Sequence, residues 1–288
     1  MNFSVSSAFV PVDQLAPIAV AADELGYRSM SVPDHVVDLE TLSTPYPYTE
    51  DGSRRWNVSA PWPDPWVLIG ALAAVTKQLR FYTAVYVAPM RNPFLVAKAV
   101  ATAAALSGNR VALGIGTGWC AEEFALMEQP FRGRGKRADE ALELIARLWE
   151  PGWTEFHGEF YSCPRLRMEP TPTQRIPILV GGVSDAALAR AARHDGWIGD
   201  LCTIDEATAL AGKVHGLRAA AGREGDFGIL QALTDALVPA DFERAARGGV
   251  TEVITKPWAY YYGPDCPLEK KLDGLARFAN DILRPLGS

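Results

Sequence analysis

The chain has 288 residues with a formal net charge of −6, and 48% of its residues are hydrophobic. Such a chain can bury a large core, and α/β barrels commonly use this length as one domain. An acidic chain without a basic tract is a poor candidate for binding nucleic acid or an anionic membrane. We therefore expect a globular protein that binds neither.

The N-terminus and the cysteines indicate a cytoplasmic protein. Residues 1–5 lack the basic and apolar regions of a signal peptide. The most apolar helical stretch, residues 94–106, contains Lys98 and is too short to span a bilayer. The four cysteines include no CxxC pair and are too few for a disulfide framework, so we expect reduced thiols. Cys120 has no neighbouring histidine, which favours a role as a small apolar filler.

Strand-like and helix-like segments alternate from the start of the chain. Residues 3–9 predict a strand, and residues 12–25 predict an amphipathic helix that ends at Gly26. Residues 28–33 predict the second strand. The irregular stretch 36–63 is rich in proline, tyrosine, serine and charged residues. Loops of this length usually serve as lids or binding loops.

The same alternation continues after the loop. Asp64-Pro65 and Asn92-Pro93 each predict a capped helix start with proline at the first helical position. The remaining predicted elements are a helix to Lys77, strand 79–87, a helix to Leu106, strand 110–115, helix 133–149, an excursion of turns and short strands at 151–174, strand 176–180, a helix from Ser184, a strand from Gly196, helix–strand pairs over 205–256 and a final helix at 268–284.

This count gives eight strand–helix units and predicts an α/β fold. We expect a single closed (β/α)8 TIM barrel domain over residues 1–288, with a long loop after the second strand and the excursion around 151–174. A doubly wound open sheet is the alternative that shares this pattern.

The first candidate functional group is Pro33-Asp34-His35, at the end of the second predicted strand. In a barrel this end of a strand faces the active site. An adjacent aspartate and histidine can supply a proton-transfer group and a partner that orients it. A turn capped by Asp34, with His35 packed beside it, explains the pattern equally well.

Two glycine-rich turns are the next candidates. The glycines of residues 114–119 (GIGTGW) would let the backbone approach a ligand closely. The run is not the dinucleotide fingerprint, because Trp119 occupies the position of its last glycine. A tight turn also explains the run. Trp119 is either a stacking platform or buried packing. Gly181-Gly182-Val183-Ser184 can present backbone N–H groups to an anion at a helix start. Capping of that helix by Ser184 or Asp185 is slightly favoured by the pattern alone.

Other catalytic motifs are missing from the sequence. The histidines and cysteines have no spacing typical of a metal site, so we expect no metal. No hydrolase nucleophile elbow and no Walker A loop is present. His157, His194 and His215 are predicted to be structural or surface residues.

Several of these segments occur in a specific order over nearly the whole chain. They are residues 24–35, 83–94, 106–124, 134–140, 178–182 and 192–197. In this order they resemble the luciferase-like monooxygenase superfamily, and most closely its branch of oxidoreductases that depend on the deazaflavin coenzyme F420. The resemblance implies a (β/α)8 barrel that holds a flavin or deazaflavin in its mouth, and commonly a homodimer.

The resemblance also assigns roles to individual residues. It implies a non-prolyl cis peptide bond at Ala84–Val85, forming a bulge against the cofactor ring. Asp34 and His35 match the acidic–histidine pair near the ring. Gly181, Gly182 and Val183 match the segment whose backbone binds the cofactor phosphate, which raises the anion-site interpretation above helix capping.

Two positions depart from the sugar-phosphate dehydrogenases of this branch. Trp119 stands where those enzymes carry a glutamate proton donor, and Glu122 stands where they carry an asparagine near the ring. We still expect both residues at the cofactor. The departure argues against a sugar-phosphate substrate and leaves the proton donor open.

The leading hypothesis is an oxidoreductase that transfers a hydride between F420 and a small organic substrate. His35 would transfer a proton or contact the ring, with Asp34 orienting it. Side chains of the long loop would line or cover the substrate, or merely pack within the loop: Tyr46, Tyr48, Trp56 and Trp62. The alternatives are a reduced-FMN monooxygenase of the same superfamily and a non-catalytic flavin-binding barrel.

Overall fold

The computed structural model describes residues 1–287, which form eleven strands and ten α-helices. The strands are β1 (Asn2–Ser6), β2 (Ser29–Val32), β3 (Arg80–Thr83), β4 (Tyr86–Val87), β5 (Val111–Gly116), β6 (Thr154–His157), β7 (Ser162–Leu166), β8 (Ile178–Gly181), β9 (Gly196–Cys202), β10 (Gly228–Leu233) and β11 (Glu252–Thr255). The helices are α1 (Val12–Leu25), α2 (Pro65–Val75), α3 (Pro93–Ser107), α4 (Ala121–Leu126), α5 (Arg134–Leu148), α6 (Asp185–Ala191), α7 (Ile204–Ala220), α8 (Pro239–Arg247), α9 (Ala259–Tyr262) and α10 (Leu268–Phe278).

The main sheet closes on itself. Its parallel strands run in the order β3-β2-β1-β11-β10-β9-β8-β5-β4, and β3 also pairs with β5. Because β3 and β4 are two halves of one strand, the sheet is an eight-stranded barrel with helices around it. The predicted (β/α)8 barrel is confirmed, and the open-sheet alternative is excluded.

The helix boundaries follow the predicted caps. The Asp64 carboxylate accepts the N–H groups of Trp66 and Val67, and Asn92 caps α3 in the same manner. Gly26 ends α1 with φ of 86°, a left-handed conformation that glycine adopts without a steric penalty. These contacts satisfy backbone groups that a helix end leaves without partners.

The barrel interior is apolar in the middle and polar at the amino ends of the strands. Tyr82, Leu179, Ile198 and Leu230 pack against one another inside the barrel. Below them the Tyr82 hydroxyl lies 2.7 Å from Ser4 Oγ, and Ser29 hydrogen-bonds to Glu252. This end of the barrel is therefore filled, and open space is left at the carboxyl ends of the strands.

Three regions lie outside the simple alternation. Residues 36–63 contain no helix or strand, as predicted, and residues 151–174 contain the antiparallel hairpin β6–β7. The short helix α4 was not predicted, and the last predicted helix ends as a π-helical turn at Ala279–Leu283. Within residues 1–287, no helix has the length and apolarity to cross a membrane, and all four cysteines are free thiols.

Candidate functional site

A cavity of about 1140 Å³ opens at the carboxyl ends of the barrel strands. Most of the residues predicted for the site line it: Asp34, His35, Ala84, Val85, Trp119, Gly181, Gly182 and Val183. All four aromatic residues singled out in the long loop line it as well. Glu122 does not. The cavity is large enough for a cofactor and a substrate, which commonly occupy sites of several hundred Å³.

His35 is held by Glu123, which lies on α4. The imidazole Nδ1 is 2.7 Å from Glu123 Oε2, and the other carboxylate oxygen accepts the backbone N–H of Val36 at 2.8 Å. Burial acts to raise the pKa of Glu123, but its contact with His35 and the N–H of Val36 lower it, with a net shift below the usual value. Glu123 is therefore a buried carboxylate at neutral pH. It fixes the ring of His35 and leaves Nε2 with no hydrogen-bond partner among the described residues.

The prediction that Asp34 orients His35 is wrong. The Asp34 carboxylate accepts hydrogen bonds from both terminal nitrogens of Arg91, at 2.6 and 2.7 Å, and from the N–H of Val87 at 2.8 Å. Burial raises the pKa of Asp34, and the Arg91 guanidinium opposes that shift. Asp34 therefore ties the end of β2 to β4 and its following turn, and it positions the strand that carries His35.

The segment that joins β3 to β4 bulges into the cavity at Ala84–Val85. The peptide bond between these two residues is cis, as predicted. Neighbouring glycines make room for this bulge. A Cβ on Gly116 or Gly181 would lie 2.5 or 2.4 Å from a γ-carbon of Val85. These glycines are thus required by close packing against Val85, a reason that the glycine pattern alone did not reveal.

The segment Gly181–Ser184 forms the cavity wall beside the bulge. Gly182 has φ of 113°, its N–H donates to the Ile198 carbonyl at 3.2 Å, and its own carbonyl accepts the Trp197 indole N–H at 2.8 Å. The N–H of Gly182 is therefore not available to an anion. The N–H groups of Val183 and Ser184 have no acceptor among the described residues, while the Ser184 hydroxyl caps α6. The capping and anion-site interpretations are compatible.

Arg134, the first residue of α5, lies in the same part of the cavity wall. Its Nε donates to the Gly118 carbonyl at 2.9 Å, and its guanidinium stacks on Phe131 at 3.8 Å. It forms no ion pair with a carboxylate in residues 1–287. Helix α6 packs close by, because Arg190 donates to the carbonyl of Gly135 at 3.1 Å. Together, Ala84–Val85, residues 116–118, Gly181–Ser184 and Arg134 are called the backbone wall below.

Another part of the cavity is covered by aromatic rings, called the aromatic wall below. Trp56 and Trp62 lie 5.2 and 4.7 Å from the His35 ring. Phe9, which follows β1, stacks on Trp56 at 6.0 Å. The remaining members of this wall are Tyr46, Tyr48 and Trp119, and Tyr46 contacts Trp119 at 5.1 Å. These side chains pack within the loop and line the cavity at once.

Polar contacts fasten the loop to the barrel. Glu122 accepts the Ser43 N–H and hydroxyl and the Thr44 N–H at 2.6–2.9 Å. Arg55 forms an ion pair with Asp200 of β9 at 2.9 Å and also lies over the Tyr46 and Tyr48 rings. Glu122 was expected at the cofactor, but it does not line the cavity. Its carboxylate is engaged by loop hydrogen bonds instead.

Lys256 follows β11 and lines the cavity beside Phe9. Its Nζ lies 4.9 Å from the centre of the Phe9 ring. Burial lowers the pKa of Lys256, and the more distant charge of Asp265 opposes that shift. Its ammonium makes no hydrogen bond or ion pair with residues 1–287.

Sequence reasoning missed Phe9, Glu123, Arg134 and Lys256 as site members. Glu123 follows Glu122 directly, and adjacent residues of a helix point in different directions. The sequence alone does not show which of the two carboxylates faces His35. Arg134 was part of a matched segment but received no role. Lys256 had no motif around it. Cys120 is buried, and burial raises its pKa to about 11, which agrees with a filler role. Residues 1–287 contain no cluster of side chains suited to a metal ion.

The chain belongs to the luciferase-like monooxygenase family, whose sequence profile matches residues 3–256. An uncharacterized protein of Mycobacterium tuberculosis is 43% identical over 285 residues, which cover 98% of this chain and 99% of the relative. The F420-dependent glucose-6-phosphate dehydrogenase of Nakamurella multipartita is 32% identical over 191 residues, which cover 64% of this chain and 51% of that enzyme.

Solved structures share the fold. A monooxygenase from Streptomyces bottropensis matches with a TM-score of 0.76 and 19% identity, covering 99% of both chains. The coenzyme F420-dependent tetrahydromethanopterin reductase from Methanopyrus kandleri also matches with a TM-score of 0.76, at 14% identity and 99% coverage of both. The solved structures show the fold, while the family profile and the F420-dependent dehydrogenase relative support an enzymatic function for this chain.

Proposed function

We propose that this chain is an oxidoreductase that transfers a hydride between coenzyme F420 and a small organic substrate. The observation that carries the proposal is a single cavity that brings together the Ala84–Val85 bulge, the Glu123-bound His35, the backbone wall and the aromatic wall. The 32% identity to an F420-dependent dehydrogenase favours the deazaflavin over FMN.

The backbone wall fits a phosphorylated cofactor. Arg134 offers a cation that no described carboxylate neutralises, and Val183 and Ser184 offer N–H groups at the start of α6. An oriented guanidinium and backbone N–H groups are what phosphate oxygens bind best. Gly116 and Gly181 keep the wall beside the bulge free of side chains, so a planar ring can approach the Ala84–Val85 backbone.

The residues around the bulge have separate tasks. When bound, F420 would supply or accept the hydride. His35 would exchange a proton through Nε2 while Glu123 holds Nδ1 and stabilises the imidazolium. The rings of Trp56, Trp62 and Tyr46 would exclude water from the reacting atoms. Trp119 lies 5.8 Å from His35 and would contact the ligand with its face or edge.

A comparison of cofactor affinities tests the proposal. The purified protein is titrated with F420, FMN and FAD, and binding is followed by cofactor fluorescence. We expect saturable binding of F420 that is at least about tenfold tighter than that of either flavin. All three cofactors can make the phosphate contact, so the difference is expected from the ring. Tight FMN binding without F420 binding would contradict the proposal and favour the reduced-FMN monooxygenase.

We also propose a homodimer formed through α2 and α3. Val67, Leu95 and Leu106 are all more than half exposed, and they line one groove between these two adjacent helices. A contiguous apolar face of this kind is uncommon on a monomer, and a two-fold axis would pair it with its own copy. Light scattering after size exclusion should give twice the mass of 31.3 kDa, and Leu95→Arg should give the single mass.

A further inference from the structure

We propose that the substrate is a planar, largely apolar molecule that carries a carboxylate, and that Lys256 binds this carboxylate. The inference rests on the proposed function because it assigns the space left beside the cofactor. It starts from the charges that line the cavity.

Most charged groups of the cavity are already paired. Asp34 is neutralised by Arg91, and Arg55 by Asp200. Two cations are left, Arg134 and Lys256, and neither forms an ion pair with the described part of the chain. In a protein with a net charge of −6, two uncompensated cations in one cavity indicate that the site binds negative charge.

The two cations lie on opposite sides of the barrel. Arg134 lies against Gly118, just after β5, whereas Lys256 follows β11. In the closed order of strands, β11 is four strands away from β5 in either direction. One phosphate group cannot contact both, so Arg134 is left to the cofactor and Lys256 to a second ligand.

The surroundings of Lys256 define the rest of that ligand. Its Nζ lies over Phe9, Phe9 contacts Trp56 and Trp62, and both tryptophans contact His35. A continuous aromatic surface therefore leads from the ammonium to the proton-transfer group. Rings of this kind bind a flat, unsaturated body by stacking.

The backbone of Phe9 supports a functional placement of its ring. Phe9 has φ of 62°, which is unusual for a bulky residue without glycine's freedom. The Val10 N–H donates to the Ser7 carbonyl at 3.2 Å and closes this turn. A conformation of this type is commonly kept where it places a side chain at a site.

Calorimetric titration with trans-cinnamate and its neutral isostere cinnamamide tests the inference without any turnover. The wild-type protein should bind cinnamate about tenfold or more tightly than cinnamamide, which is the ratio that one charge-assisted hydrogen bond typically gives. Lys256→Gln should reduce this ratio to about one, whereas Lys256→Arg should preserve it. Lys136→Gln removes an exposed lysine on α5 and should leave the ratio unchanged.

Two results would overturn the inference. One is an unchanged preference for cinnamate in Lys256→Gln, and the other is no binding of either ligand by the wild-type protein. F420 binding is measured on the same variants. Carboxylate preference without F420 binding contradicts only the proposed cofactor, and F420 binding without carboxylate preference contradicts only the role of Lys256.

Discussion

The backbone wall and the aromatic wall of the cavity are built by different means. The backbone wall consists of strand ends and turns in which glycines permit close approach, as at Gly116 and Gly181 against Val85. The aromatic wall consists of side chains from an irregular loop that polar contacts fasten to the barrel. Side chains of an irregular loop can change with little effect on the barrel, whereas strand ends and their turns cannot. In the proposed function, the backbone wall therefore binds the cofactor and the aromatic wall binds the substrate.

The largest effect is expected from crowding β5 at Gly114, two residues before the backbone wall. An added Cβ would lie 1.9 Å from the Thr83 carbonyl oxygen, which belongs to a rigid strand. Gly114→Ala should lower the free energy of unfolding by about 3 kcal/mol, as measured by urea denaturation. Gly212→Ala in α7 is the control, since nothing lies within 4 Å of its added Cβ. It should be neutral or stabilise by up to about 1 kcal/mol. Equal effects of the two substitutions would contradict the packing role.

The next effect concerns Glu123, which joins α4 to His35 and to the start of the loop after β2. Its lowered pKa means that it stabilises the fold above its usual pKa of 4.5 and that this contribution is lost as the pH falls through the lowered value. Glu123→Gln should cost about 2 kcal/mol at pH 7 and should make stability less dependent on pH below 4.5. Urea unfolding between pH 3 and 7 measures both.

A matched substitution separates this effect from a general loss of negative charge. Glu143 lies on α5 with a 56% exposed side chain paired to Arg147. Glu143→Gln should change stability by no more than about 0.5 kcal/mol at any of these pH values. An acid dependence in Glu123→Gln identical to that of the wild type would show that the carboxylate is not held as described.

A smaller effect is expected from Arg134, and it should appear in cofactor binding rather than in folding. Arg134→Gln should weaken F420 binding about tenfold in a fluorescence titration, because it removes one charge-assisted contact to phosphate. Lys136→Gln, two residues further along α5, should bind F420 as the wild type does. Unchanged affinity in Arg134→Gln would remove Arg134 from the phosphate site.

The smallest effect is expected at the Arg55–Asp200 ion pair, which joins the long loop to β9. The Arg55 and Asp200 side chains are 28% and 30% exposed, so their ion pair should contribute less than about 1 kcal/mol to stability. Arg55→Gln should instead speed limited proteolysis within residues 36–63 about threefold, since local opening becomes easier. Arg167→Gln, which breaks an exposed pair with Glu169, should leave that rate unchanged. Equal proteolysis rates in the wild type and Arg55→Gln would show that this ion pair does not hold the loop.

The sequence predicted most of the residues that line the two walls, but it did not predict the distant contacts that hold them in place. Alternating elements and capping residues such as Asp64 and Gly26 specify the barrel locally, and strand ends then place His35, Ala84–Val85 and Gly181 at its mouth. Contacts between distant residues have no local signal. Asp34 was assigned to its neighbour His35, although its partner Arg91 is 57 positions away, and Glu122 and Glu123 differ only in helical phase.

The central claim is that the backbone wall holds F420 while the aromatic wall and Lys256 remain for the substrate. A crystal structure of the protein with bound F420 tests it most directly. We expect the deazaflavin ring to lie against Ala84–Val85 and the phosphate to contact Arg134, Val183 and Ser184. A ring stacked between Phe9 and Trp56, or a phosphate at Lys256, would contradict it.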